Sequence, residues 1–254
     1  YINQEEERLL GVDLNGLRDN PMLNEMFDRN DKSLLSELRK LAVETNLEFA
    51  GLLGIAPAAA VTCDKPAGNS ASLFNTASGI GSRYAPYYTR RMRFSSTSRV
   101  AKLLAVNGLP FEPEVGQSLE TADTLVFEFP VKSPDGAVYG SDNSAIDQLN
   151  FWKWCKTGWT EHNPSTTIYF SAKELDEISR WAHDNQSILS GVSFLPRDNS
   201  VYKLAPYEVI SKETYEERTA LFPDIDWSAI DHIDGDISTS AQEFACVGGA
   251  CDIV

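Results

Sequence analysis

The sequence is short of cysteine, histidine and basic charge, and each shortage narrows what the chain can be. Four cysteines in 254 residues make no disulfide framework of the kind that staples small secreted domains. The three histidines, His162, His183 and His232, stand in no metal-binding spacing and beside no candidate nucleophilic serine. Structural roles are assigned to all three; His183 falls near the end of an expected helix, where positive charge suits the dipole. With 22 basic against 37 acidic residues the net charge is -15, the wrong sign for a nucleic-acid polymer, whose phosphates call for a basic face. No run of about 18 apolar residues exists to span a membrane. No charged-then-apolar leader opens the chain, and there is no internal repeat or low-complexity block. A reducing cytoplasm is the expected location. The chain starts with Tyr1 rather than Met, so it is expected to be a piece of a longer protein or to have lost an initiating segment.

What is present is globular. Hydrophobic residues make up 42% and aromatics 10%, enough to bury a real core in one large domain or two small ones. From Ser33 to Leu53 the apolar residues Leu34, Leu38, Leu41, Ala42, Thr45, Phe49 and Leu52 follow the spacing of one helical face. Ser33 reads as the N-cap, and Gly54 with Pro57 stops the helix. Ala58 to Thr62 is short, small and apolar, as a buried strand would be, and runs into a turn-rich loop from Lys65 to Ser70. Leu125, Phe127, Phe129 and Val131 alternate as in a strand closed by Pro134-Asp135-Gly136. Thr166 to Phe170 predicts another strand. Ser171 and Glu174 form a capping box for a helix turning Leu175, Ile178, Trp181 and Ala182 inward. Val192 to Leu195 predicts a buried strand stopped by Pro196, and a last helix runs from about Lys212 to Leu221 with Ser211 as its cap. Helix, strand and glycine-containing loop in succession is α/β grammar. After Pro223 periodicity fades among scattered acids, and residues 231–254 are expected to be a mobile tail separate from the 1–230 body.

Three stretches could carry chemistry. Cys246 and Cys251 enclose Gly248 and Gly249, which permit the tight turn that closes a disulfide. Exposed thiols on a flexible segment exchange readily with another protein's thiols. A zinc site needs about four ligands and only His232 is near, so a redox shuttle is preferred over metal binding or idle thiols. Cys63 and Cys155 read as ordinary buried thiols. Pro66, Ala67, Gly68, Asn69 and Ser70 follow an expected strand and offer backbone N–H groups and side-chain donors to a phosphate; an ordinary turn is the alternative. Arg83, Arg90, Arg91, Arg93 and Arg99 fall in a stretch without acids. Interleaved with Tyr84, Tyr87 and Tyr88, they suit a large flat ligand with polar edges, or else a surface loop with cation–π stacking.

Taken in order, these stretches resemble the C-terminal portion of the monomeric class II, adenosylcobalamin-dependent ribonucleoside-triphosphate reductases. Gly11-Val12-Asp13-Leu14-Asn15-Gly16 is similar to the family's Gly-Val-x-x-x-Gly segment. Val61 to Ser70 resembles its Lys-Pro-Ser-Gly loop, and Tyr84-Ala85-Pro86-Tyr87-Tyr88-Thr89-Arg90-Arg91 its Tyr-Ala-Pro-Tyr-Tyr-x-Arg-Arg stretch. Phe129 to Pro134, Ser193 to Pro196, Ala205 to Glu208 and the Cys-x4-Cys end follow in family order.

The resemblance implies the C-terminal portion of a ten-stranded α/β barrel. It implies phosphate contacts from Pro66, Ala67, Gly68, Asn69 and Ser70. Adenosylcobalamin contacts are implied for Tyr84, Pro86, Tyr87, Tyr88, Arg90 and Arg91, and for Tyr202, Pro206 and Tyr207 in a second stretch reaching toward Trp227. Cys246 and Cys251 would reduce an active-site disulfide and be re-reduced by thioredoxin. The implied reaction replaces the ribose 2′-OH of a ribonucleoside triphosphate by hydrogen, begun by a thiyl radical that arises through Co–C homolysis and takes the 3′ hydrogen.

The family's Asn-Pro-Cys-Gly-Glu radical motif is missing, so the implied enzyme needs an N-terminal remainder, and this chain alone should not turn over. Ala67 replaces the commoner serine, and Gly81-Ser82-Arg83 stands where the family often has His-Pro. A monomeric enzyme is implied. Two other readings stay open: a fragment of a class I catalytic subunit, and a non-catalytic nucleotide- or corrin-binding module of a split reductase.

Overall fold

In the computed structural model, residues 8–197 and 203–233 are described. The first half of the chain forms β1 (Val12–Asp13), α1 (Pro21–Asp28), α2 (Ser33–Leu53), β2 (Thr62–Cys63), α3 (Gly68–Leu73), β3 (Tyr87–Ser95), α4 (Arg99–Val106) and β4 (Phe111–Pro113). The second half forms β5 (Thr124–Lys132), α5 (Ala145–Gly158), β6 (Thr167–Phe170), α6 (Leu175–Asp184), β7 (Ser193–Pro196), β8 (Tyr207–Val209) and α7 (Lys212–Ala220). The chain crosses between two compact units, one built from residues 8–83 together with 134–197, the other from 84–133 and 203–233. No helix among the described residues is long and apolar enough to cross a membrane.

The first unit is organised around α5. Ala145, Leu149, Phe151, Trp152, Trp154, Cys155 and Gly158 are all buried in it, so this helix is apolar on nearly every side, as a central helix must be. Its aromatic residues join Leu17, Leu35, Ile80 and Trp159 in one core. Gly158 lets α2 close on α5: a Cβ there would stand 3.3 Å from the Leu35 side chain. A second core packs Ala145, Leu149, Ile168 and Ile178. The start of α5 is fixed by a Ser144–Asp147 capping box and the turn before α6 by the expected Ser171–Glu174 box. Glu174 also accepts the Ala145 N–H at 2.8 Å. The Ala145 and Ser171 N–H bonds hold its carboxyl below the usual carboxylate range. Two short parallel pairs complete the unit, β1 with β2 and β6 with β7.

The second unit is an antiparallel sheet in the order β4-β5-β3-β8. Residues paired across β3 and β5 share a face. Phe94, Phe127, Phe129 and Phe111 therefore turn one way, onto Ala101, Leu104 and Leu109 of the α4 region. The other face carries Tyr87, Thr89 and Arg91. There α7 docks, with Tyr215 5.2 Å from Tyr87 and Arg218 Nη1 donating to Thr89 Oγ1 at 2.9 Å. Ser211 caps α7 as expected, its Oγ accepting the Thr214 N–H at 3.1 Å.

Four expectations are corrected. The helix from Ser33 to Leu53 forms with Gly54 left-handed at its end, but the residue at its N-cap position is Lys32. Ser33 instead donates its N–H to Asp31 Oδ1. Its inward residues are Leu35 and Ala50, while Leu38, Leu41, Phe49 and Leu52 of the apolar stripe are exposed. The strand expected at Ala58–Thr62 is confined to Thr62–Cys63, because only there does β1 run alongside. The strand at Ser193–Pro196 exists but is exposed along its length, not buried; among the described residues its one strand partner is β6. Leu175 is exposed, leaving Ile178 as the buried anchor of α6.

Candidate functional site

In the first unit, the turn after β2 is held by side chains from two earlier and later segments. Asp13 Oδ1 accepts the Lys65 N–H at 2.8 Å, and Asn15 bonds to the same carboxylate while its Oδ1 accepts the Gly79 N–H at 2.6 Å. Ser78 Oγ accepts the Ala67 N–H at 2.8 Å. Ser70 donates both its N–H and its hydroxyl to the Ala67 carbonyl, at 3.1 and 2.6 Å. Pro66, Gly68 and Ser70 are exposed and Ala67 half-buried, and α3 starts at Gly68, with Asn69 in its first turn. The Ala67 and Ser70 N–H groups are thus engaged internally. Those of Gly68 and Asn69 open a helix and have no partner within it. Lys65 Nζ donates to Asn163 O and Ser165 Oγ at 3.3 and 3.2 Å.

Gly79 makes this packing possible. Its φ is +54°, and a Cβ would stand 2.9 Å from the Lys65 carbonyl oxygen. Gly79→Ala is expected to cost more than about 1 kcal/mol from the backbone conformation alone, with a further loss as the Lys65 turn is pushed aside. A urea melt checks it: an unchanged midpoint would contradict the close packing.

In the second unit, register brings three tyrosines together at the β8 edge. Arg90 pairs directly with Tyr207 and Tyr88 with Val209, so Tyr88, Arg90 and Tyr207 share a face. Ring centroids are 5.7 Å apart for Tyr88–Tyr207, 5.9 Å for Tyr84–Tyr88 and 5.2 Å for Tyr84–Tyr207. The Arg90 guanidinium lies 5.7 Å from the Tyr207 ring. Tyr88 is buried, Tyr207 half-buried and Tyr84 47% exposed. Burial, with the Glu208 charge adding to it, raises the Tyr84 phenol above its ordinary value, so it stays a neutral hydroxyl. Pro86 is exposed, and Pro206 is half-buried with its carbonyl accepting the Arg91 N–H at 2.8 Å.

Arg91 occupies the opposite face and is buried. Its Nε donates to Glu128 Oε1 at 2.7 Å and its Nη1 to the Ala205 carbonyl at 3.0 Å, and it pairs with Glu208. Arg218 Nη1 reaches Glu128 Oε2 at 3.0 Å. This network pins β8 and α7 to the centre of the sheet. Arg93 likewise pairs with Glu114 and donates to the Leu204 carbonyl. Arg83, in the first unit, is buried against Asp19 at 2.9 Å. The basic stretch is therefore divided: Arg83, Arg91 and Arg93 bind acids of the chain itself, and Arg90 attends the tyrosines. Glu114, Glu128 and Glu208 could not have been matched to these arginines beforehand, because the pairing follows from strand register and not from local spacing.

The patch thus brings together aromatic rings, phenol groups and one guanidinium on one face of the sheet. Tyr202, Cys246 and Cys251 lie outside the described residues. Cys63 and Cys155 are buried free thiols, and burial raises Cys155 well above the ordinary thiol value.

No family model matches the chain. It is similar to the adenosylcobalamin-dependent ribonucleoside-triphosphate reductase of Lactobacillus acidophilus, 28% identical over 235 residues that cover 90% of this chain and 31% of that protein. The reductases of the same name from Lacticaseibacillus paracasei and Lactobacillus leichmannii are 27% and 26% identical, with the same coverage of both chains. A crystal structure of a B-12 dependent (class II) ribonucleotide reductase superposes with a TM-score of 0.72 at 24% identity, covering 81% of this chain and 29% of that one. The resemblance drawn from the motifs and the α/β fold class are both borne out. The chain spans about a third of the length of the relatives it matches.

Proposed function

We propose that this chain supplies the C-terminal third of an adenosylcobalamin-dependent reductase that converts ribonucleoside triphosphates to 2′-deoxyribonucleotides. The observation that carries the reading is the Tyr84–Tyr88–Tyr207 cluster with Arg90 over Tyr207. It is built from the residues that resemble the cofactor-binding stretch of the adenosylcobalamin-dependent reductases, one of which aligns with 90% of this chain.

Tyr84, Tyr88 and Tyr207 would hold the corrin through ring contact and phenol donors, with Arg90, Pro86 and Pro206 at the rim. Tyr202 is assigned to the same stretch. Tyr87 and Arg91 support the patch from the other face: Tyr87 packs on α7 and Arg91 ties β8 in place. When bound, adenosylcobalamin supplies the radical that starts the reduction. The Pro66–Ser70 turn would receive the substrate phosphates at the Gly68 and Asn69 N–H groups, with the turn kept open by Asp13, Ser78 and Gly79. Cys246 and Cys251 would pass two electrons to an active-site disulfide supplied by the remainder of the enzyme, becoming a disulfide themselves. Thioredoxin would then return the pair to thiols.

Tyr207→Ala tests the corrin assignment in the complete enzyme. Loss of its ring and of the Arg90 contact is expected to weaken adenosylcobalamin binding about tenfold, read as Kd by cobalamin absorbance. Binding at wild-type strength, in a variant with normal melting, would remove the tyrosine patch from the cofactor site.

A further inference from the structure

Asp64 has no part in the roles assigned above, and its surroundings do not suit an anion. It follows β2 directly and is completely buried. Oδ2 lies 2.6 Å from Thr160 Oγ1, while Oδ1 has no hydrogen-bond partner among the described residues. A buried carboxylate needs donors at both oxygens or a cation. The nearest ammonium in sequence, Lys65, turns away to Asn163 O and Ser165 Oγ. The neutral acid fits better: Oδ2, as its carbonyl oxygen, accepts the Thr160 hydroxyl, and the proton sits on Oδ1, whose unpaired burial as a neutral group costs far less than that of a charged oxygen.

The elements packed around Asp64 bring little positive charge. β1 contributes Asp13, which bonds the Lys65 N–H and disfavours a second negative charge. α5 contributes the neutral Cys155 thiol, and Lys156, whose ammonium donates to the Glu161 and His162 carbonyls. Glu161 is occupied by the Val61 and Thr62 N–H groups, and His162 by the Leu10 carbonyl. Burial pushes Asp64 up to about 7, against the pull of the Thr160 bond and with the help of Asp13.

We propose that Asp64 is carried as the neutral carboxylic acid and acts, through Thr160, as a proton-operated latch. It fastens the end of β2, where the Lys65 turn departs, to the segment that leaves α5. The same junction is sewn by Thr62 Oγ1 donating to the Trp159 carbonyl at 2.6 Å and by Trp159 Nε1 donating to the Cys63 carbonyl at 2.8 Å. The latch stands whether or not the turn binds phosphate.

The direction of the pH effect follows from linkage. The folded protein binds this proton more tightly than the unfolded chain, whose aspartates titrate near about 4. The stabilisation is fully present below that value and is lost as pH rises to about 7.

Asp64→Asn tests the proposal, because the amide reproduces the shape and the donor of the neutral acid. Melting temperatures are compared from about pH 5 to about pH 8, and the difference between wild type and variant at each pH is what counts. The wild type is expected to lose several degrees more than the variant across this range, and the variant to melt higher than wild type at the alkaline end. Parallel curves, or a variant weaker at every pH, would overturn the latch. Should the variant not fold, carbon NMR of aspartate-labelled wild-type protein decides. One carboxyl titrating near 7 supports the proposal, and a full set titrating below about 5 contradicts it.

Discussion

Trp159→Ala is expected to lower stability by about 3–5 kcal/mol. The indole is 2% exposed and packs in the core made by Leu17, Leu35, Ile80 and the α5 aromatics. Its removal leaves a large cavity at the point where α2, α5 and β2 meet, and the close-packed surroundings can collapse only in part. It also leaves the buried Cys63 carbonyl without the Nε1 donor. Trp159→Phe separates the two effects: most of the ring stays, and the expected loss falls to about 1–3 kcal/mol for the unpaired carbonyl and the smaller volume. Urea unfolding reads both as a lower midpoint at constant m. A loss under about 1 kcal/mol for the alanine variant would show that this junction is not part of the core.

The second large effect concerns electron delivery. In the complete enzyme, Cys246→Ser or Cys251→Ser is expected to cut thioredoxin-driven turnover by more than about 100-fold. A hydroxyl neither forms the mixed disulfide nor closes on the remaining thiol. A small dithiol that reaches the active site directly should still support turnover in both variants. This rescue separates a lost relay from a damaged site. Thioredoxin-driven activity at the wild-type rate in either variant would take the shuttle role away from the pair.

The residues differed greatly in how far they could be read beforehand. Strong local rules held: the alternation at Leu125–Val131 lies in β5, and the Ser171–Glu174 box and the Ser211 cap form as expected. The helix from Ser33 to Leu53 was legible in its limits but not in its orientation. It has two apolar faces, and the more regular one, through Leu38, Leu41 and Leu52, is the exposed one. α5 gave no periodic signal because it is buried on nearly every side. Strands of two or three residues, such as β1, β2 and β8, are set by their partners and leave no pattern of their own.

The candidate site followed the same division. Tyr84, Tyr88 and Arg90 were visible as a dense local stretch, and their contact with Tyr207 is a consequence of the β3–β8 register. The role of Arg91 was not visible, because Glu128 and Glu208 reach it only across the sheet. Asp64 is one of 37 acidic residues, and its sequence neighbours give no sign of its burial. What sets it apart is complete burial beside a single hydroxyl.

The most direct test of the central claim is to assay the complete enzyme containing this chain for deoxyribonucleotide formation from a ribonucleoside triphosphate, with thioredoxin as reductant, in the presence and absence of adenosylcobalamin. Product that forms only when adenosylcobalamin is added is the predicted result. Product that forms equally well without it, or no product with it, would contradict the account.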